Sequence, residues 1–246
     1  IHQRLLENAV DLANDGLAKI RAAASEAKVT VVMGINERDG TIGRTTLYNS
    51  AVVIGADGAI LNHHRKLMPT NPERMVWGFG DASGLRAIDT PVGRIGTLLC
   101  WENYMPLARF ALYAQGIDIH IAPTYDSGDG WIGTLEHIAR EGGCWVIGAG
   151  VALRNQDLPD DFPERDRLYP PEENWINPGD SVVIAPGGGK VAGPLHEQQG
   201  ILYADIDPAR VAGARRTFDV AGHYSRPDLF TLHVNREKQS PIEFDT

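Results

Sequence analysis

Residues 93–123 of the chain read GRIGTLLCWENYMPLARFALYAQGIDIHIAP. Residues 95–99 form a short, almost wholly apolar run, which is typical of a strand buried on both faces. Apolar residues then recur at helical spacing, and Gly116 follows as a helix C-terminal residue. Residues 117–122 indicate a second buried strand. The stretch therefore predicts a β-turn-α-β unit with Cys100 at the carboxyl end of its first strand.

Cys100 has two interpretations. A cysteine considered without regard to its position is more often a buried small hydrophobic residue than a functional group. However, open α/β sheets gather ligands and catalytic groups at the carboxyl ends of their strands. Cys100 lies at such an end, beside Trp101 and Glu102 in a strand-to-helix turn. This position favours a reactive thiol.

The rest of the chain predicts strands and helices in mixed order, as in an α/β protein whose sheets are covered by helices. We expect a single domain over residues 1–246. The expected elements are a helix that begins at Asn14 or Asp15, strands at residues 29–35, 46–54 and 59–64, a loop at 67–84, a helix at 131–142, a strand at 144–150, a surface excursion at 155–179, strands at 181–185 and 201–206, and a last helix from Asp207.

The bulk composition excludes several classes of partner. The 246 residues carry a formal net charge of -9, which argues against nucleic acid or an anionic membrane as a partner. No apolar run approaches the length of a membrane span, and no signal peptide is expected. Two cysteines fit a reducing compartment better than a disulfide framework, so we expect a cytoplasmic protein. Because the chain begins with Ile1, we expect it to start partway along a longer gene product.

Lys66 is the second candidate for chemistry, within HHRKLMPTNPERMVWGFGD at residues 63–81. By composition alone it would be an exposed lysine. Its setting, after an apolar strand and before a loop, weakens that interpretation. A lysine held beside a cysteine would favour the nucleophilic thiolate and could stabilise negative charge on a substrate. Glu73 could hold the lysine or transfer a proton, or could instead form a surface salt bridge with Arg74.

Metal and serine-triad chemistry receive little support. His63 and His64 are adjacent, so in a strand they would face opposite ways. Their spacing makes no metal pair with Cys100, and Cys144 adds no CxxC motif. No GxSxG motif supports a serine nucleophile. We therefore expect neither a metal nor a cofactor.

Three motifs together resemble the nitrilase superfamily: GTLLCWENYMPLAR at residues 96–109, HRKLMPTNPER at 64–74 and WGFGD at 77–81. The resemblance is to its nitrilase branch, in which tryptophan follows the nucleophilic cysteine. It continues in EQQGILYADID and DVAGHYSRPDLF, and so covers the chain from about residue 29 to residue 230.

The resemblance implies a four-layer α-β-β-α sandwich and a homo-oligomer, either a dimer or a larger and sometimes spiral assembly. It implies that Cys100 is the nucleophile, that Lys66 stabilises the tetrahedral intermediate and that Glu73 is the second, supporting glutamate. Three aromatic residues would lie near the substrate, although they are equally well explained as core residues: Trp101, Tyr125 and Trp131.

The implied reaction is hydrolysis of a small-molecule nitrile to the carboxylic acid and ammonia, through a cysteine thioimidate and a thioester. An amidase, or a nitrile or cyanide hydratase that stops at the amide, would use similar chemistry. A truncated, non-catalytic assembly subunit is the alternative from a different class.

The chain departs from the family pattern at its beginning. Family members place a general-base glutamate at a strand end upstream of where this sequence starts. Neither Glu7 nor Glu26 has that setting. Glu37 follows the strand expected at residues 29–35, but this strand matches the one after the base. We therefore expect three of the four catalytic positions here, with N-terminal strands missing and sheet edges exposed.

Overall fold

The computed structural model of the chain describes residues 2–40, 43–240 and 242. Its contacts divide the chain into two units, Ile1–Ile117 with Arg226–Thr246, and Asp118–Ser225. The helices and strands of the first unit are α1 (His2–Glu7), α2 (Ala18–Ala27), β1 (Val31–Arg38), β2 (Leu47–Ile54), β3 (Ile60–Arg65), β4 (Ile88–Thr90), β5 (Gly93–Thr97) and α3 (Pro106–Tyr113).

The first unit is built on an antiparallel sheet in the order β1-β2-β3. Helix α2 covers one face of this sheet. The residues that pack there alternate along the strands, as expected for a sheet with one buried face. This core consists of Leu17, Ala24, Ile35, Val52 and Ile54.

The opposite face of the same sheet carries Lys66 and His64. In the register, Ser50 of β2 pairs with both Ile35 and Arg65, so these three side chains share the face of α2. Because successive side chains alternate, the neighbours His64 and Lys66 point to the other face. The N–H of Lys66 donates to the carbonyl of Asn49 at 2.8 Å, which continues the ladder one residue beyond β3.

The segment around Cys100 follows a short antiparallel hairpin of β4 and β5. Strand β5 ends at Thr97, two residues earlier than predicted, and a 3-10 turn occupies Cys100–Tyr104. Helix α3 then begins with Pro106 at its first position, where a missing N–H costs nothing. The predicted order of strand, turn and helix is confirmed.

The second unit contains β6 (Ile119–Thr124), α4 (Gly128–Gly142), β7 (Trp145–Gly150), β8 (Ala152–Arg154), α5 (Arg165–Leu168), β9 (Trp175–Ile184), β10 (Lys190–His196) and α6 (Arg210–Thr217). Strand β7 pairs in parallel with β6 and antiparallel with β9, and β9 also pairs with β8 and β10. Trp145 anchors the C-terminal part of this unit, because its indole N–H donates to the carbonyl of Asp207 at 2.9 Å.

Two element predictions are wrong, and one strand was not predicted. Residues 201–206 form no strand: they pair with no ladder, and Ile201 and Tyr203 are 75% and 79% exposed. A strand forms at Lys190–His196 instead, where a turn with positive φ at Gly187 and Gly188 folds the chain back onto β9. The excursion at residues 155–179 is also shorter than predicted, since β9 already begins at Trp175.

The start of α2 also differs from the prediction. The helix begins after Leu17, without a side-chain cap, whereas Asn14 or Asp15 was expected to cap it. The Asp15 carboxylate instead binds Arg21 at 2.6 Å. No helix in the described ranges is both long and apolar enough to cross a membrane.

Candidate active site

Lys66 is fully buried, so it is not the surface lysine that composition alone would suggest. Its Nζ donates to the Glu73 Oε2 at 2.6 Å and to the Thr70 hydroxyl at 3.1 Å. The same Glu73 oxygen accepts the N–H of Thr70 at 2.7 Å. A buried ammonium needs such partners, because an uncompensated charge in the interior is costly. The Glu73 carboxylate therefore pairs with Lys66 and not with Arg74.

The backbone of Lys66 is held from two sides. Its N–H donates to Asn49, and its carbonyl accepts the N–H of Gly80 at 2.8 Å. Gly80 belongs to the WGFGD motif, and a Cβ at this position would lie 2.2 Å from the carbonyl oxygen of Arg65. Only glycine allows this close approach of two backbones. The motif thus packs against the end of β3 and limits the movement of the lysine.

Cys100 occupies a strained turn. Its φ of 49° lies in the left-handed region, which costs a non-glycine residue about 1–2 kcal/mol. The Asn103 side chain stabilises the turn by donating to the carbonyls of Leu98 at 3.0 Å and Cys100 at 2.7 Å. Arg109 in turn donates to the Asn103 carbonyl at 2.8 Å. As a residue, Cys100 is neither fully buried nor fully exposed.

One carboxylate joins the lysine segment to the cysteine segment. The Glu102 Oε1 accepts the N–H of Leu67, next to Lys66, at 2.6 Å. Its Oε2 accepts the N–H of Leu99, next to Cys100, also at 2.6 Å. The structure therefore brings together the two segments that the sequence motifs predicted to act together.

His63 and His64 face opposite ways, as predicted. His64 lies 3.1 Å from both oxygens of Glu102. His63 contacts Glu37 at 2.6 Å on the other face of the sheet. Within the described part of the chain, no group of three or more potential ligand residues could hold a metal ion.

Glu37 is unsuited to be a general base. Burial would raise the pKa of this carboxyl, but hydrogen bonds from His63, Arg65 and Ser50 outweigh burial and lower the pKa to about 2. The Arg65 guanidinium donates to it at 2.5 Å and Ser50 at 2.5 Å. Its oxygens are thus occupied by donors, on the face of the sheet opposite Lys66.

The two cysteines have opposite environments. Cys144 is fully buried, and burial raises the pKa of its thiol to about 12. A buried neutral thiol is a poor nucleophile. Cys100 is therefore the better candidate for the reactive cysteine.

The three predicted substrate-contacting aromatics differ in exposure. Trp101, which follows Cys100, is 51% exposed and lies edge-on against Tyr104 with ring centroids 5.8 Å apart. Tyr125 is also 51% exposed, and its backbone carbonyl accepts the side-chain amide of Asn177. Trp131 is only 1% exposed on α4 in the second unit. Substrate contact by these residues stays a prediction.

Sequence reasoning assigned no role to three residues that support the site: Thr70, Glu102 and Asn103. Thr70 and Asn103 act through side-chain bonds within three to five residues. Side chains in turns often form such local bonds to nearby residues. The position of Thr70 and Asn103 in turns was therefore the sequence signal that could have indicated their roles. The long-range bond of Glu102 to Leu67 spans 35 positions, and no local pattern indicates it.

Comparison with known proteins gives consistent matches. Residues 2–216 match the family model for carbon-nitrogen hydrolase. A bifunctional nitrilase/nitrile hydratase of Lupinus angustifolius is 42% identical over 242 residues, which cover 96% of this chain and 67% of the relative. An aliphatic nitrilase of Sinorhizobium fredii (strain HH103) is 42% identical over 224 residues, covering 91% of this chain and 70% of the relative.

A solved structure also matches. The crystal structure of a carbon-nitrogen hydrolase from Helicobacter pylori G27 superposes with a TM-score of 0.71 at 24% identity, over 87% of this chain and 73% of that chain. At this identity the match concerns the fold alone. It confirms the fold class that the sequence motifs implied.

Proposed function

The chain belongs to the carbon-nitrogen hydrolase family and to its nitrilase branch, and on that premise we propose that it hydrolyses a nitrile to the carboxylic acid and ammonia. The observation that carries the proposal is a fully buried lysine, paired with a glutamate, whose segment is joined by one carboxylate to the segment of a partly exposed cysteine. These are the groups needed for nucleophilic catalysis with charge stabilisation.

In the proposed mechanism, the Cys100 thiolate adds to the nitrile carbon and the nitrogen takes up a proton, which gives a thioimidate. Water then adds to this carbon, ammonia leaves and a thioester forms. A second water molecule releases the acid and regenerates the thiol. Sulfur and acid-base groups can carry each step without redox chemistry.

Lys66 and Glu73 have separate roles in this scheme. The Lys66 ammonium stabilises the negative charge that develops during each addition. Glu73 holds that ammonium through the 2.6 Å ion pair and so limits its position. A general base must also activate the water, and Glu37 is not that base because its carboxylate is held by three donors on the opposite face.

The test replaces Cys100 by alanine in the protein with any natural flanking residues. Acid and ammonia formation from a panel of aliphatic and aromatic nitriles should be abolished, because the other thiol, Cys144, is fully buried. Cys144→Ala is the matched control, and in folded protein it should retain turnover. Acid formation by the Cys100→Ala variant would refute the proposal.

Nitrile hydration to the amide is the second candidate function. It is favoured by the match to a relative that is itself a bifunctional nitrilase/nitrile hydratase. Amide would leave if the tetrahedral adduct expelled the thiol instead of ammonia. Chromatography of the products from one nitrile measures the ratio of acid to amide and separates the two activities.

We further propose that Trp101 and Tyr125 contact the substrate, since both present half-exposed rings. For Trp131, whose side chain is buried on α4, the proposal of substrate contact rests on the family resemblance alone. The chain would act as one catalytic domain in a homo-oligomer, as the family resemblance implied for its assembly, and its two cysteines would suit the reducing cytoplasm. Size-exclusion chromatography with light scattering would measure the oligomeric state.

A further inference from the structure

Glu102 is a buried carboxylate whose two oxygens serve different segments. Oε1 binds the N–H of Leu67 and Oε2 binds the N–H of Leu99, each at 2.6 Å. Both bonds are short, as hydrogen bonds to an ionised acceptor are. Leu67 directly follows Lys66 and Leu99 directly precedes Cys100. A change at Glu102 must therefore affect both the Lys66 segment and the Cys100 segment of the proposed centre.

His64 completes the environment of this carboxylate. Its Nε2 lies 3.1 Å from each oxygen of Glu102, and both side chains are buried. Because a carboxylate only accepts, this nitrogen is the donor. The other ring nitrogen, Nδ1, has no hydrogen-bond partner within the described residues. The contribution of His64 is thus a single N–H directed at Glu102 from β3.

We propose that Glu102 is the positioning residue of the centre, setting the Cys100 turn against the Lys66 ammonium, with His64 holding its carboxylate in place. This inference rests on the proposed roles of Cys100 and Lys66. Glu102 acts through the backbone on either side and does not itself attack or protonate the substrate. Misplacing reacting groups by about 1 Å can cost about 100-fold in rate, so the effect should appear in kcat.

Glu102→Gln is the main test. The amide keeps one acceptor oxygen but turns an NH2 group toward one of the two backbone N–H groups, so one of the two bonds is lost. We expect kcat for nitrile hydrolysis to fall at least about 100-fold while KM changes less than about threefold. Glu37→Gln is the matched control, because it also removes a buried, three-donor carboxylate but lies on the opposite face of the sheet. Folded Glu37→Gln protein should keep its kcat.

A second readout requires no nitrile. The rate of Cys100 alkylation by iodoacetamide at pH 7.5 should fall at least about fivefold in Glu102→Gln, because the altered turn no longer holds the sulfur against the Lys66 ammonium. Loss of the Glu102 charge alone would instead speed alkylation. In a Lys66→Met background the Glu102→Gln substitution should slow alkylation no further. Faster or unchanged alkylation of Glu102→Gln in protein that keeps Lys66 would overturn the proposal.

Two variants of His64 keep the proposal testable if Glu102→Gln does not fold. In His64→Gln the amide N–H replaces the single donor, whereas His64→Leu removes it. His64→Gln should alkylate and turn over at least about tenfold faster than His64→Leu, and equal rates would refute positioning. If the unmodified protein hydrolyses no nitrile but the alkylation pattern holds, the proposed function fails while the positioning role of Glu102 stands.

Discussion

Replacing Glu37 by glutamine should make the protein less stable at neutral pH and remove one source of its sensitivity to acid. The carboxylate is buried and accepts hydrogen bonds from Ser50, His63 and Arg65. Glutamine has nearly the same shape but no charge. It also turns an NH2 group toward donors that need an acceptor.

The magnitude follows from the pKa of Glu37, which is lowered from 4.5 to about 2. At about 1.4 kcal/mol per pH unit, this difference corresponds to about 3 kcal/mol of folding stability. The carboxyl is almost inaccessible to solvent, so screening does not reduce this figure substantially. It is a large part of the 5–15 kcal/mol that is typical of folded domains (an order-of-magnitude range).

The direction of the pKa shift of Glu37 determines how stability depends on pH. Since the folded pKa lies below the unfolded value, the carboxylate stabilises the protein fully above about pH 4.5. This stabilisation is lost as the pH falls from 4.5 to about 2. The difference in unfolding free energy between the unmodified protein and Glu37→Gln should therefore be greatest near pH 7 and shrink by about 3 kcal/mol toward pH 2.

The assay is equilibrium urea unfolding, followed by circular dichroism, at pH values between 7 and 2.5. Glu26→Gln is the matched control, because Glu26 is exposed on α2, and its difference should stay near zero throughout. A difference for Glu37→Gln that is constant with pH would refute the reasoning, since it would mean that the carboxyl titrates alike in both states.

Three other perturbations test the site. Iodoacetamide should modify one cysteine of the native protein, Cys100, and both cysteines after unfolding in urea, because burial raises the pKa of Cys144 to about 12. Mass spectrometry counts the adducts, and labelling of Cys144 in the native protein would contradict its burial. Lys66→Met should lower kcat for nitrile hydrolysis about 100-fold or more while circular dichroism stays native, and near-normal turnover would remove the lysine from the mechanism. Gly80→Ala should lower the free energy of unfolding by about 2 kcal/mol or more, because the new Cβ would lie 2.2 Å from a carbonyl oxygen of β3. Gly34→Ala is the control, because a Cβ at Gly34 meets open space. Thermal unfolding should show a smaller loss of stability for Gly34→Ala than for Gly80→Ala.

Sequence reasoning predicted the local elements that carry the site. The apolar run before Cys100, the turn and helix α3 were recognisable because strand, turn and helix signals depend on neighbouring residues. It failed at residues 201–206, where a mostly apolar run forms no ladder, and at β10, where pairing with β9 makes a strand from a segment that contains glycine and proline. Whether a segment pairs depends on what lies beside it in space.

The order of residues alone was sufficient to select Cys100, Lys66 and Glu73 as candidates, and a seven-residue spacing lets the last two form an ion pair within one loop. Tertiary structure decided that Lys66 is fully buried, because burial depends on the sheet and on the motif that packs over it. It also decided the position of Glu102, whose contacts with β3 and the following loop reach across 35 to 38 positions of the chain. Contacts this distant leave no periodic signal in the sequence, since only folding brings their partners within hydrogen-bonding distance.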